Sequence, residues 1–319
     1  MATRLEVTSE LYAETDFATT NTDSGTSISK FTFVYPAMTR RDSARNSINN
    51  GSDSDSSEQS ASSQVNVEST KSASNDVKAI SYDADGDAVV ERKRKGLVQI
   101  EHQKSTQLDL VGLQIWRGAL LLADYILHNE KKFKNKKILE LGSGVGLTSI
   151  VASMYAREVL CTDIDVGGIL ELIRLNVNRN LHLKSVACKV EVTELDFKVN
   201  YDDYPEKLKN QLKDVDFVIA ADVIYDDTIT EAFVVTLERL LLELPKLKTV
   251  YIALEKRYVF TIEDMDSVAP SYEHFLRVFH KRNARFGSNR WKLMQVGLNF
   301  PRYFEYEKLK DLVLLKISN

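Results

Sequence analysis

Two kinds of hydrophobic spacing alternate along the chain. Short apolar runs over 137–141, 158–163, 215–222 and 249–254 have the length and continuity of strands buried on both faces, and 185–192 reads the same way. Between them apolar residues recur at helical spacing. Leu113, Trp116, Leu120, Ala123 and Leu127 do so over 112–128, and Ile169, Leu170, Ile173 and Val177 over 167–180. Ile229, Phe233, Leu237, Leu240, Leu241 and Leu244 repeat the pattern over 228–243, and further helices are expected at 147–156 and 271–285. This alternation predicts an α/β fold with a doubly wound, mostly parallel sheet. The last two strand runs, 292–299 and 311–317, have no helix between them, so they should form a C-terminal antiparallel β-hairpin at the sheet edge.

The first 76 residues lack this periodicity. The run 46–63 is almost all Ser, Asn, Asp and Gln and cannot bury enough apolar surface to offset its chain entropy. We expect 1–76 to be a largely disordered extension, its acid-flanked serines either phosphoryl acceptors or parts of a passive linker. Phe31-Thr-Phe-Val-Tyr-Pro36 is an island of strand propensity expected to dock on the folded domain. Order is expected from Val77, with strands near Ile80 and over 97–102, a turn at Asp85-Gly86, and an element 77–110 packed on a domain of 111–319.

Composition narrows the classes. The 319 residues carry a net charge of −4, which counts against a surface built mainly to hold nucleic acid. The two cysteines have no metal-ligand spacing and read as buried reduced thiols. We see no apolar run near the ~20 residues that span a bilayer, and no apolar signal core follows Met1. The expectation is an intracellular chain without membrane contact. Arg92-Lys-Arg-Lys95 is either an import signal or a solvated loop tip.

Candidate chemistry begins where strand 137–141 meets Gly142-Ser-Gly-Val-Gly146 and a helix start. Glycines here let a ligand approach the backbone at a helix N-terminus. The spacing misses the dinucleotide fingerprint, whose third glycine would stand at Leu147, and no Walker lysine is present. An acid-x-G-x-G-x-G pattern suits a ligand with an amino-acid tail, Glu140 balancing its ammonium. The next strand ends at Asp163, a carboxylate placed to accept ribose hydroxyls, with Asp165 as runner-up or as a helix cap.

Gly112-Leu-Gln-Ile-Trp-Arg-Gly-Ala119, Glu140-Leu-Gly-Ser-Gly-Val-Gly-Leu147, Cys161-Thr-Asp163, Leu195-Asp-Phe197 and Ala221-Asp-Val-Ile-Tyr225 resemble the motifs of the seven-strand S-adenosylmethionine-dependent methyltransferases. Within these, the likeness is to the methyltransferase-like protein-lysine methyltransferases of family 16, from about Val111 to the C-terminus. The resemblance implies a Rossmann-like seven-stranded methyltransferase sheet, S-adenosyl-L-methionine as cofactor, and a protein lysine as acceptor. It places Glu140, Gly142, Ser143, Gly144 and Asp163 in the cofactor set. It also implies Trp116 as a pocket wall, Ala221 as a small lining residue, and Phe197 beside the adenine, where the family usually has Trp. Kinship further implies chaperone contacts and residence in the nucleus ahead of the cytoplasm.

Methyl transfer from a sulfonium is an in-line displacement that needs a positioned, uncharged nucleophile and no metal. Asp222 is the candidate to orient the lysine nitrogen, and Tyr225 to wall the methyl site. In the rival reading Asp222 only holds backbone amides of its loop and the proton leaves to solvent. Asp226 and Asp227 should cap the following helix. Glu255, Lys256 and Arg257 either contact substrate or form surface ion pairs. No histidine is assigned a catalytic role. Two other functions stay open: methylation of a nucleic acid or small molecule, disfavoured because Asp222-Val-Ile-Tyr225 lacks two prolines, and a non-catalytic binding module, disfavoured by the intact glycines and acids.

Overall fold

The computed structural model describes residues 6–14, 18–23, 25–36, 94–261, 266–287 and 290–318. Strands β1 (Ala18–Asn21), β2 (Ser27–Val34) and β3 (Lys95–His102) form an antiparallel sheet. The Phe31 island is thus a strand. Its inward residues alternate, with Phe31 and Phe33 buried and Phe33 packed on Phe304 at 5.1 Å between ring centroids. These parts of the expected extension fold onto the domain through the apolar side chains they carry. The run 46–63, and the strand and turn expected at Ile80 and Asp85-Gly86, lie outside the described residues; the partner of β3 is β2. The other edge of β3 meets Asn176, in the last turns of a helix, and Asn180, the cap that follows it. Each amide oxygen accepts a backbone N–H, of Glu101 and Gln99 at 2.8 Å, and each amide nitrogen donates to the same residue's carbonyl.

The central sheet comprises β4 (Lys137–Leu141), β5 (Glu158–Asp163), β6 (Lys189–Glu194), β7 (Phe217–Ala221), β8 (Thr249–Glu255), β9 (Lys292–Val296) and β10 (Leu312–Ser318). Its order is β9-β10-β8-β7-β4-β5-β6. All neighbours are parallel except β10, which runs antiparallel to β8 and β9, so the expected C-terminal hairpin is present with β10 wedged inward. Strand order reverses at β4, between β5 and β7, and a ligand crevice is expected beyond the carboxyl ends there.

Helices α1 (Arg117–His128), α2 (Leu147–Ala152) and α3 (Ile169–Arg179) cover one face together with the N-terminal sheet; α4 (Glu206–Leu212), α5 (Asp227–Glu243) and α6 (Pro270–Asn283) cover the other. In β4 the strand alternation sends Ile138 to the first layer and Leu139 and Leu141 to the second.

Several boundaries depart from the periodicity. The helix expected over 112–128 is split into a 3-10 helix, Leu108–Leu113, an extended Gln114–Trp116 and then α1. Gln114 causes the break. Its buried amide donates to the carbonyl of Val7 (2.9 Å) and to Thr106 Oγ1 (2.6 Å), and accepts the N–H of Ser9 (2.8 Å), bonds a continuous helix would not allow. Counted together, Leu108–His128 is long and apolar enough to cross a membrane, contrary to the reading of the sequence; it is mostly buried within the protein. Strand β6 starts later than expected because residues 185–188 form a turn, Cys188 N–H to Ser185 O at 2.9 Å. Helix α4 and the small hairpin of Val259–Thr261 with Asp266–Val268 were not anticipated.

Candidate active site

The carboxyl ends of β4, β5 and β7, with the 3-10 turn and the start of α1, enclose a cleft of about 160 Å³. Trp116, Glu140, Gly142, Ser143, Gly144, Asp163, Phe197, Ala221, Asp222 and Tyr225 all line it, whereas Asp165, Glu255, Lys256 and Arg257 do not.

Backbone geometry shapes the first side. Gly142 and Gly144 have φ of +65° and +54°, and Gly146, at +83°, precedes α2. At Gly144 a Cβ would stand 3.0 Å from the Gly112 carbonyl, so a side chain there would close the cradle as well as strain it. Ser143 knits the turn to β5, donating its N–H to the Thr162 carbonyl (2.8 Å) and accepting the Thr162 N–H on Oγ (3.0 Å). Asp163 accepts the N–H of Gly144 on Oδ2 (2.8 Å) and of Ile164 on Oδ1 (2.9 Å). Burial pushes its carboxyl up to about 6 against those two amides. Each oxygen keeps a lone pair for a ligand hydroxyl. Phe197 is half-buried, its ring 5.4 Å from Phe233. Cradle, acid and aromatic fit an amino-acid tail, a ribose and a base in that order.

One expectation on this side is corrected and one gains a second role. Asp165 is exposed and caps no helix, α3 being preceded by Gly168. Glu140 lies 1% exposed and accepts the Ser149 hydroxyl of α2, fastening the strand end to the helix. Burial pushes it up to about 7, against the Ser149 hydroxyl and other donors. Its carboxylate therefore serves α2 as well as the cleft.

The second side is held by side chains. Asp222 has φ +53° and accepts the Gly118 N–H on Oδ2 at 2.6 Å and the Glu255 N–H on Oδ1 at 3.1 Å. Gly118 permits this approach, since a Cβ there would lie 2.4 Å from Oδ2. Burial pushes Asp222 up to about 6, opposed by the Arg257 charge and the two amides. Trp116 donates Nε1–H to the Val111 carbonyl at 2.9 Å. Tyr225 is 37% exposed at the mouth. Asp226 caps α5, accepting the Ile229 N–H at 2.9 Å, while Asp227 is its first residue.

Behind this side, reading the sequence named Glu255 and Arg257 as possible ion-pair partners but missed Arg117, Glu10 and Glu14. Arg117, only 3% exposed, pairs with Glu14 and with Glu255 (2.6 Å), and Glu10 lies at 4.0 Å. Glu255 and Arg257 form ion pairs, and Lys256 lies over the Tyr272 ring at 4.3 Å. No local signal could have found Arg117, because its partners are about a hundred residues away on either side.

A family model described as lysine methyltransferase matches residues 94–270. The chain belongs to the lysine methyltransferase family. Among its curated relatives in that family, methyltransferase-like protein 22 of Homo sapiens is 37% identical over 232 residues, covering 69% of this chain and 57% of the relative. The Mus musculus protein of the same name is 36% identical over 243 residues, covering 73% and 62%. Protein N-lysine methyltransferase METTL21A of Danio rerio is 31% identical over 130 residues, covering 41% and 56%. The chain thus spans about six-tenths of the length of the curated relatives it matches. Among solved structures, magnesium protoporphyrin IX methyltransferase of Synechocystis aligns at a TM-score of 0.40 and 11% identity over 64% of this chain and 84% of that one, a likeness too loose to argue from.

Proposed function

We propose that the chain is a protein-lysine N-methyltransferase that uses S-adenosyl-L-methionine and acts on a lysine side chain of a protein. The observation that carries this reading is the glycine cradle and Asp163 at two strand ends, beside Asp222-Val-Ile-Tyr225 at a third, in a member of the lysine methyltransferase family. The backbone at Gly142, Ser143 and Gly144 would receive the methionine tail, Asp163 the ribose hydroxyls, and Phe197 and Ala221 the adenine side. When bound, the cofactor supplies an activated methyl group for a neutral acceptor nitrogen.

The chain's task at the other side is to align that nitrogen and exclude water from the line of transfer. Trp116 and Tyr225 would wall the approach. Both oxygens of Asp222 already accept backbone amides. These bonds tie the start of α1 to the end of β8, so we favour the reading in which Asp222 holds Gly118 and Glu255 in place and the lysine proton leaves to water at the Tyr225 mouth.

Calorimetry with S-adenosyl-L-methionine on wild type and Asp163→Ala tests the cofactor half: wild type should bind and the variant should lose about a hundredfold, two charge-assisted hydrogen bonds being removed. Tritiated-methyl transfer into cell extract, with protease and nuclease arms, tests the acceptor. Label that survives protease and not nuclease would overturn the lysine assignment. The nuclear address is proposed on the basic cluster and kinship alone; deleting 92–95 should move the protein toward the cytoplasm.

A further inference from the structure

The reaction side of the cleft is reached by a stretch of chain that the family match does not include. The match starts at residue 94, yet residues 6–14 stand behind Trp116 and the 255–257 turn. They are fastened there by three independent contacts. Gln114 holds Val7 and Ser9, the Tyr12 hydroxyl accepts the Ile115 N–H at 2.8 Å, and Leu11 is fully buried. Both Gln114 and Ile115 belong to the extended link that ends in Trp116. The segment therefore presents Glu10 at a fixed place. From there Glu10 pairs with Arg257 at 3.3 Å, and the Arg257 guanidinium lies over the Trp116 ring at 4.7 Å.

Resting on the transferase reading above, we propose that Glu10 and Arg257 are positioning residues for the acceptor lysine: the N-terminal segment, through Glu10, holds Arg257 on Trp116 and so fixes the wall past which the amine enters. Both members of the pair are exposed, Arg257 at 42% and Glu10 at 51%. Such a pair contributes little to overall stability. Without Glu10, a long side chain on a turn would sample many rotamers across the mouth. The other charges facing the pair are Arg117 on α1, Glu14 on the same segment, Glu255 at the end of β8 and Asp222 after β7. Arg117 stays committed to Glu14 and Glu255, so it does not replace Arg257.

Charge exchange tests this. Glu10→Arg, Arg257→Glu and the double exchange are compared with wild type in the full chain. The readouts are calorimetric affinity for S-adenosyl-L-methionine, melting temperature, and initial rate of tritium transfer against concentration of extract protein. Each single exchange should bind cofactor within about twofold of wild type and melt close to it. Each should raise the half-saturating extract concentration, or lower the limiting rate, by about tenfold, and the double exchange should recover most of that loss. Single variants that transfer like wild type would overturn the proposal. So would a loss that the double exchange leaves in place, or one matched by an equal loss of cofactor binding, which would mark a purely structural pair. Wild type that binds cofactor but labels no protein would instead overturn the transferase reading, and this inference with it.

Discussion

The two sides of the cleft are built on different principles. The side we assign to the cofactor is assembled from neighbouring strand ends, with positive-φ glycines and amide-to-carboxylate bonds setting its shape. The side we assign to the acceptor gathers residues 10–14, 116–118, 222–225 and 255–257, and side-chain charges hold these distant pieces together. Backbone conformation is local and resists salt. Charge clasps are long-range and depend on every partner being present. The acceptor side should accordingly be the more fragile under substitution, and the cofactor side the more sensitive to added bulk.

Arg117 gives the largest expected contrast. Arg117→Met keeps the length and apolar stem but leaves Glu14 and Glu255, which are 21% and 14% exposed, without their cation. Breaking a buried pair from one end costs about 3–5 kcal/mol. The denaturation midpoint should fall accordingly, and added salt should restore little of it. A loss below about 1 kcal/mol would mean the clasp is solvated like an ordinary surface pair and would break the comparison. Next comes the cofactor side. Gly144→Ala should cost about 1–2 kcal/mol in backbone strain and press its methyl on the Gly112 carbonyl. Calorimetry should show cofactor affinity down about tenfold, with a smaller stability loss than Arg117→Met. Equal or greater destabilisation would reverse the ranking of the two sides.

The same contrast explains what could be read from the sequence. The side proposed for the cofactor was legible because its determinants sit within one strand–turn–helix and the strand after it, so Gly142, Gly144 and Asp163 could be singled out by spacing alone. On the acceptor side, Asp222 and Tyr225 could be named, but the bonds of Asp222 to Gly118 and Glu255 could not be. Those partners come from other strands and helices, and only the sheet order places them together. The helix break at Gln114 was hidden for a related reason. Leu113, Trp116 and Leu120 keep helical spacing, while the polar residue that interrupts them answers to Val7, Ser9 and Thr106. Strand β2 was visible as an apolar island, yet its pairing with β3 across some sixty intervening residues had no local trace.

The smallest expected effect separates the two acids themselves. Asp163 and Asp222 both have carboxyls raised from 3.8 to about 6, mainly by burial. The folded state therefore binds more protons than the unfolded state between about pH 4 and 6. Stability contributed by either group is greatest below that window, falls as pH rises through it, and is level above. Asp163→Asn should accordingly remove part of the downward slope in stability over pH 4–6. The difference between the acids appears only with cofactor. A ligand hydroxyl donates to the ionised form of Asp163, so binding must displace the proton, and affinity should weaken about fourfold from pH 7 to 5.5. Asp222, which stands across the cleft from the proposed ribose site, should add nothing to that dependence. Asp163→Asn should flatten the affinity profile, and a variant whose profile kept the wild-type slope would place the linked proton on another group, Glu140 being the nearest candidate on the same side.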